Sequence, residues 1–353
     1  MSTKEKDLTL NFEAVCRAAQ KGNVDYFRGI SQHFREEWLV RKCNQRSGDN
    51  ILHIAARFGR LSILEFIAKE LFASHGMKWS VKKLEIFDSI NADRKTPLHE
   101  AAQSDHLDCV QFLLQQKVNV DSMKRADWTP LMLAIAKGNK EVVLQLLNAS
   151  ANPALVNKDG WNSFHLACRE GNLEIVKLLS DTKADLWKVA SKNGRTPLHT
   201  AALHGCKDVV HWLLESCQHP VDAEDSCGNT PLMDAIRMGH TEVAAMMIED
   251  FKANIMKTDR LGYQLLHVAA QSGHLASVTY ILINFAVDIN AVSFKNITPL
   301  HLAAKEGHKE IISCLLSHGA NIYLQDEMGR TALNIVENNN HSDCVQILKQ
   351  QYS

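Results

Sequence analysis

Thr96-Pro97-Leu98-His99-Glu100-Ala101-Ala102 is the stretch that decides the fold, because it returns at a nearly fixed interval. Its later forms are Thr129-Pro130-Leu131-Met132, Asn162-Ser163-Phe164-His165, Thr196-Pro197-Leu198-His199 and Thr230-Pro231-Leu232-Met233. Gln264-Leu265-Leu266-His267, Thr298-Pro299-Leu300-His301 and Thr331-Ala332-Leu333-Asn334 continue the series. Successive fourth positions (99, 132, 165, 199, 233, 267, 301, 334) lie 33 or 34 residues apart. A period of this length means stacked copies of one supersecondary unit, each burying its apolar face on its neighbours.

Each copy carries its own folding instructions. Thr96 is placed to cap a helix, since its hydroxyl can accept an orphan backbone N–H. Pro97 follows at the first helical position, where its missing N–H costs nothing. Leu98, Ala101 and Ala102 then share one helical face, with alanines small enough for close helix approach. Gly138, Gly171, Gly205, Gly239, Gly273 and Gly307 supply a left-handed stop, with Asp105 and Asn340 as substitutes. A second helix follows, marked by Val110, Leu113 and Leu114 and by Ile312, Leu315 and Leu316. A polar finger turned by Gly160, Gly194, Gly228, Gly262 or Gly329 leads to the next cap. The expected fold is an all-α solenoid of helix-turn-helix repeats with β-hairpin-like fingers.

The register sets the organisation. Residues 12–30 keep an Ala18-Ala19…Gly22 core without the T-P-L-H segment, as an N-terminal cap would. Repeats run over 48–330, beginning around Leu52-His53-Ile54-Ala55-Ala56. His53 and His99 are 46 residues apart, which places an insertion near 78–87, read as a mobile loop or a helix extension. Residues 331–350 form a polar C-terminal cap. The sum is about ten units in one domain, 1–353, with no linker.

Bulk properties narrow the function. A formal charge of -1 gives no whole-protein attraction to nucleic acid or to a membrane surface. No apolar run approaches the ~18 residues of a membrane span, and residues 1–11 are too polar for a secretory leader. Nine scattered cysteines without C-x-x-C pairs read as small apolar residues in a reducing compartment. There is no nucleophile elbow, phosphate loop, H-E-x-x-H or dinucleotide fingerprint. Seventeen histidines invite a metal reading. His53, His99, His165, His199, His267 and His301, however, share one repeat position, and stacked repeats hold them about 10 Å apart. Metal–ligand bonds of about 2 Å cannot span that gap. Their expected role is hydrogen bonding across the cap turns, with Met132 and Met233 as apolar fillers. His204, His240, His274, His308 and His341 flank the turns as packing residues. No cofactor and no metal are expected.

The fingers carry the distinctive pattern. The residue four before each cap reads Ala92, Arg125, Lys158, Lys192, Ser226, Arg260, Phe294, Glu327, so three consecutive central fingers are basic. Lys124, Lys188 and Arg195 add charge nearby, and Trp128, Trp161 and Trp187 lie in adjacent fingers. Basic groups interleaved with aromatics suit a protein interface or an anionic partner, whereas phosphate tracking wants a longer stripe. The expected partner-binding set is Arg125, Trp128, Trp161, Trp187, Lys192 and Arg195.

The repeat signature resembles the ankyrin-repeat family over nearly the whole chain. The middle is similar to ankyrin-repeat cofactors of alanyl-tRNA synthetase. The resemblance rests on 124–132 (KRADWTPLM), 157–165 (NKDGWNSFH), 195–202 (RTPLHTAA), Cys227-Gly228 and Leu232-Met233-Asp234-Ala235-Ile236. It implies a monomeric protein of the cytosol and nucleus that binds the synthetase catalytic domain. It implies capture of misactivated serine on lysines, here Lys158 and Lys188, which keeps serine off alanine tRNA. A third acceptor position falls on Arg125, whose guanidinium stays protonated and is a poor nucleophile; Lys124 is the neighbouring substitute. The insertion, with Lys78, Lys82 and Lys83, also departs from the family spacing. An acceptor left as a stable amide is consumed, so no enzyme is expected. The alternative is a generic adaptor that grips another protein through its basic central fingers.

Overall fold

The computed structural model describes residues 12–30, 37–71, 85–183 and 185–351. They group into two compact units, one of residues 12–166 with 181–183, the other of 167–180 with 185–351. The division falls inside the helix Ser163–Glu170, so the repeat register runs through it.

In the first unit, helices Phe12–Lys21 and Val24–Gly29 form the opening pair and bury Val15, Ala18, Ala19 and Phe27. Helices Ile51–Arg57 and Leu61–Phe66 follow, the second running on into a π-turn, Ile67–Leu71. Then come Pro97–Gln103 with Leu107–Gln115, and Pro130–Ile135 with Lys140–Asn148. Residues 78–84 of the expected insertion lie outside the described residues, as do Lys78, Lys82 and Lys83. Of its remainder, 85–87 are helical, and Phe87 is fully buried edge-on to Phe112, ring centroids 6.3 Å apart.

The second unit holds residues 173–180 of the helix Leu173–Thr182 and then four helix pairs. These are Pro197–Leu203 with Lys207–Glu215, Pro231–Arg237 with Thr241–Glu249, Leu265–Ser272 with Leu275–Asn284, and Pro299–Glu306 with Lys309–Ser317. Ala332–Asn338 and Ser342–Lys349 close the chain.

The cap chemistry behaves as the residues require. Thr129 and Thr298 accept the N–H of Met132 and His301 at 3.3 Å, satisfying a donor that the helix start leaves open. His99 Nδ1 accepts the Thr96 N–H at 3.1 Å, so the ring proton sits on Nε2, which donates to the Trp128 carbonyl at 3.1 Å. His199, His267, His301 and His53 repeat this with the carbonyls of Asn229, Ile297, Arg330 and Lys95. Each ring therefore locks its own cap and pins the base of the next finger. Burial lowers the pKa of all five, to about 4 for His99 and His199. Met132 and Met233 are buried at the same position and have no side-chain N–H to offer the next finger.

The flanking histidines form a second series that sequence reasoning took for packing alone. Of that expected set His240, His308 and His341, joined by His106 from outside it, each donate Nε2–H to a carbonyl at the end of the preceding repeat's first helix, those of Leu203, Gln271, Lys305 and Arg57. Gly205, the turn glycine of the repeat before His240, shows the close fit of such a ring. Its φ is +69°, and a Cβ there would lie 2.6 Å from the His240 ring. The dipeptides Gly239-His240, Gly273-His274 and Gly307-His308 were the available signal.

Two expectations need correction. Among the described residues the fingers are hydrogen-bonded turns rather than strands. Each is a loop closed between its first and fifth residues, as Asn157 N–H to Trp161 O at 2.9 Å, with the Asn157 side chain accepting from Asp159 and Trp161. A single tight loop leaves no length for a strand ladder. The cysteines are also not all free thiols: the first helix sets Cys16 beside Cys43, Cα atoms 5.8 Å apart, in a disulfide. Cys109, Cys168 and Cys344 are buried, and burial pushes Cys109 up to about 12.

Candidate functional site

The expected site residues sit on fingers, and the backbone fixes where each finger lies. Within each unit, residues four before a cap donate their N–H to the preceding finger. Arg125 donates to Asp93 at 2.9 Å and Lys158 to Ala126 at 3.0 Å in the first unit. Ser226, Arg260, Phe294 and Glu327 do the same to Asn193, Cys227, Leu261 and Lys295 in the second. The column read from the alignment is thus a structural register in both units.

In the first unit this register brings Lys124, Arg125, Trp128, Lys158 and Trp161 onto neighbouring fingers. Arg125–Asp127 forms a single 3-10 turn that presents the Arg125 side chain to solvent, loosely opposite Asp93 at 3.9 Å. Lys158 is exposed and makes no ion pair among the described residues. Trp161 is half-buried, stacked on His165 with ring centroids 6.1 Å apart and planes 19° from parallel. Its face is therefore partly occupied from within. Lys124 is different in kind. It is half-buried, its Nζ lies 5.7 Å from the centre of the Trp128 ring, and its pKa is lowered by burial and then by the like charge of Lys95. The lowering favours the nucleophilic neutral amine at Lys124.

A buried ion network anchors the same unit. Arg57 forks onto Glu100 at 2.8 and 2.9 Å and reaches Asp49 at 2.8 Å. Burial alone would raise the Glu100 carboxyl, but the Arg57 hydrogen bond and the charge of Lys95 hold it below its ordinary value.

In the second unit Leu186–Lys188 is another 3-10 turn. Lys188 is exposed but tied to Asp185 at 2.7 Å, with its Nζ 5.2 Å from the Trp187 ring centre. Trp187 is half-buried against His219, centroids 5.5 Å apart. Lys192 is exposed and makes no ion pair among the described residues. Arg195 is placed otherwise: it is mostly buried, its guanidinium donating to Asp234 and lying 3.7 Å from Asp225. Asp234 is fully buried, with Arg237 3.9 Å away on its other side. Burial outweighs both arginines and pushes its carboxyl up to about 6. Sequence reasoning missed this pairing because Arg195 and Asp234 belong to different repeats.

Chemically, both clusters offer cations set against half-buried aromatic rings, an arrangement that grips carboxylates and apolar side chains together. Among the described residues no group of three or more His, Cys, Asp or Glu is placed to hold a metal ion, and no helix is long and apolar enough to cross a membrane. The family model for ankyrin repeats (three copies) matches residues 68–155, 143–225, 216–293 and 266–353, together well over half of the chain. Repeats of this kind are scaffolds that bind protein partners. With the period, the caps and the finger register all in agreement, the chain belongs to the ankyrin-repeat family.

Proposed function

We propose that this adaptor serves alanyl-tRNA synthetase, docking on its catalytic domain and taking misactivated serine onto its own lysines. The observation that carries the reading is Lys158, an exposed amine without an ion pair at a fingertip fixed by a backbone bond, with half-buried Lys124 on the finger before it. The reading treats 1–353 as one repeat array and a monomer, resident in the cytosol and nucleus.

The step is acyl transfer. The neutral amine attacks the carbonyl of seryl-adenylate, an amide forms, AMP departs with the bond electrons, and the amine proton passes to water. An ordinary lysine is only about 0.04 % neutral at pH 7, so docking beside the synthetase site must provide high effective concentration. Lys188 has to leave Asp185 before it can react. Lys124 starts closer to the neutral state and stands in for the acceptor that Arg125 cannot be.

Peptide-mapping mass spectrometry after incubation with alanyl-tRNA synthetase, serine and ATP tests this. Seryl adducts are expected at Lys158, Lys188 and Lys124 and only with the synthetase present. Lys158→Arg with Lys188→Arg and Lys124→Arg keeps the complex and loses capture. Capture retained in that variant removes the acceptor assignment. A complex without adducts leaves an adaptor for the synthetase, and neither complex nor adduct leaves an adaptor for another protein. Multiple turnovers by the isolated chain would instead mean catalysis.

A further inference from the structure

The last three fingers of the second unit present a face unlike the central ones. On the run into each fingertip, exposed side chains are spaced by more covered ones. The outward sets are Met256, Thr258 and Arg260, then Val292 and Phe294, then Tyr323, Gln325 and Glu327. Phe294 is 76 % exposed, Tyr323 65 % and Met256 58 %. The preceding finger offers only Asp222, Glu224 and Ser226 at these positions.

The face is continuous. Phe294 N–H bonds to Leu261 O at 3.1 Å and Glu327 N–H to Lys295 O at 3.0 Å. A Cβ on Gly262 would sit 3.0 Å from the Phe294 ring, so that ring lies against the neighbouring fingertip. Beneath it, Met256 and Val292 line a cavity of about 180 Å³ floored by Leu265, Leu266 and Ala291. That is room for one large apolar side chain. Asp288 also lines it, its carboxylate accepting the Asn290 N–H at 2.9 Å.

Charge selects the occupant. Glu327 is neutralised by Lys295 at 3.1 Å. Arg260 makes no ion pair among the described residues and stands on the same finger as Met256, four residues further on. Large exposed apolar groups beside a cavity mark an interaction surface, and the unmatched guanidinium calls for a carboxylate. We propose that this face docks an extended segment of another protein. The segment seats one bulky apolar side chain in the cavity and sets a carboxylate, several residues along, on Arg260. This second contact surface does not depend on the synthetase reading.

The test uses the full chain and short fluorescein-labelled peptides read by fluorescence anisotropy. One peptide carries leucines at one end and glutamates at the other; a second has lysines for the glutamates; a third has serines for the leucines. The first is expected to bind about tenfold or more tighter than the others. Arg260→Glu should reverse the preference between the glutamate and lysine peptides, a change on the order of tenfold. Val292→Asp should remove the advantage of leucine over serine. Both residues are exposed, so the variants keep their far-UV circular dichroism. Equal binding of all three peptides, binding of none, or a preference unchanged in both variants overturns the proposal. Sedimentation adds a further check. A chain that dimerises and becomes monomeric as Phe294→Ser uses this face for a second copy of itself, which also overturns it.

Discussion

Replacing His99 by methionine, the residue found at the same position in Met132 and Met233, should change how stability responds to pH. His99 is fully buried, accepts the Thr96 N–H on Nδ1 and donates Nε2–H to Trp128. Its folded pKa is about 4, against 6.5 for the free side chain. The depressed value means that the unfolded chain binds the extra proton. The stabilisation is therefore present above pH 6.5 and is lost as pH falls toward 4. At pH 5 the unfolded ring is nearly all protonated and the folded ring about one tenth so. Integrated from pH 7 to 5, this single residue removes about 2 kcal/mol of stability. The methionine variant loses two hydrogen bonds, the Trp128 carbonyl keeping only the Lys124 N–H, a cost of about 2 kcal/mol at pH 7, but it does not titrate. Urea unfolding at steps between pH 7 and 5 should show the two proteins converging at about 1 kcal/mol per pH unit near pH 5. Asp234, raised to about 6, pulls the other way, because its native carboxyl binds the proton first as pH falls. It is present in both proteins and cancels in the difference. His199→Met repeats the experiment in the second unit. Parallel pH profiles for wild type and variant would refute the account of the histidines as buried, neutral pins.

Gly205→Ala forces a side chain into φ +69° and against the His240 ring. The left-handed strain and the disturbed His240–Leu203 bond should cost roughly 2–3 kcal/mol, read as a lower urea midpoint with helix content kept. Arg195→Met leaves the buried Asp234 carboxylate with only Arg237 nearby. A loss of about 3–5 kcal/mol is expected at pH 7, partly recovered at pH 5 where Asp234 takes up a proton, and a loss that ignores pH would count against the pairing. Reduction of Cys16–Cys43, which closes a loop of 27 residues, should weaken the N-terminal helices by about 3–4 kcal/mol in the chain-entropy account. Hydrogen exchange of residues 12–30 with and without reductant measures it. Differential alkylation in cells reports whether the pair is oxidised there; the proposed cytosolic residence requires thiols.

The helices, caps and turns were legible because each depends on residues within one period. Thr96 caps its own helix, and Gly205 stops its own turn. The finger column was legible for a similar reason: a shared register made Arg125 and Lys158 comparable before any coordinate was known. Interactions that cross between repeats were not. Arg195 looked like a free cation until Asp234, 39 residues on, took its guanidinium. His240, His308 and His341 looked like packing until their Nε2 atoms met carbonyls 36 or 37 residues back. Cys16 and Cys43 meet only because helix Phe12–Lys21 turns one toward the other. Such contacts follow from side-chain reach across a stack, which a one-dimensional pattern encodes only as an offset. The apolar outer face was likewise hidden, since Met256, Val292 and Phe294 read as three unrelated residues until the spacing of exposed side chains aligned them.

Within each unit, the bond from a finger to the one before it runs through main-chain N–H alone. Every side chain at that position is thereby released from structural duty, and arginine, lysine, serine, phenylalanine and glutamate all occur there without altering the stack. Only proline is forbidden, because it has no N–H to give. Of the seven prolines in the chain, five open first helices and none falls in this column. Partner choice can consequently be rewritten one repeat at a time, at little thermodynamic risk, by changing a single letter that the fold never reads.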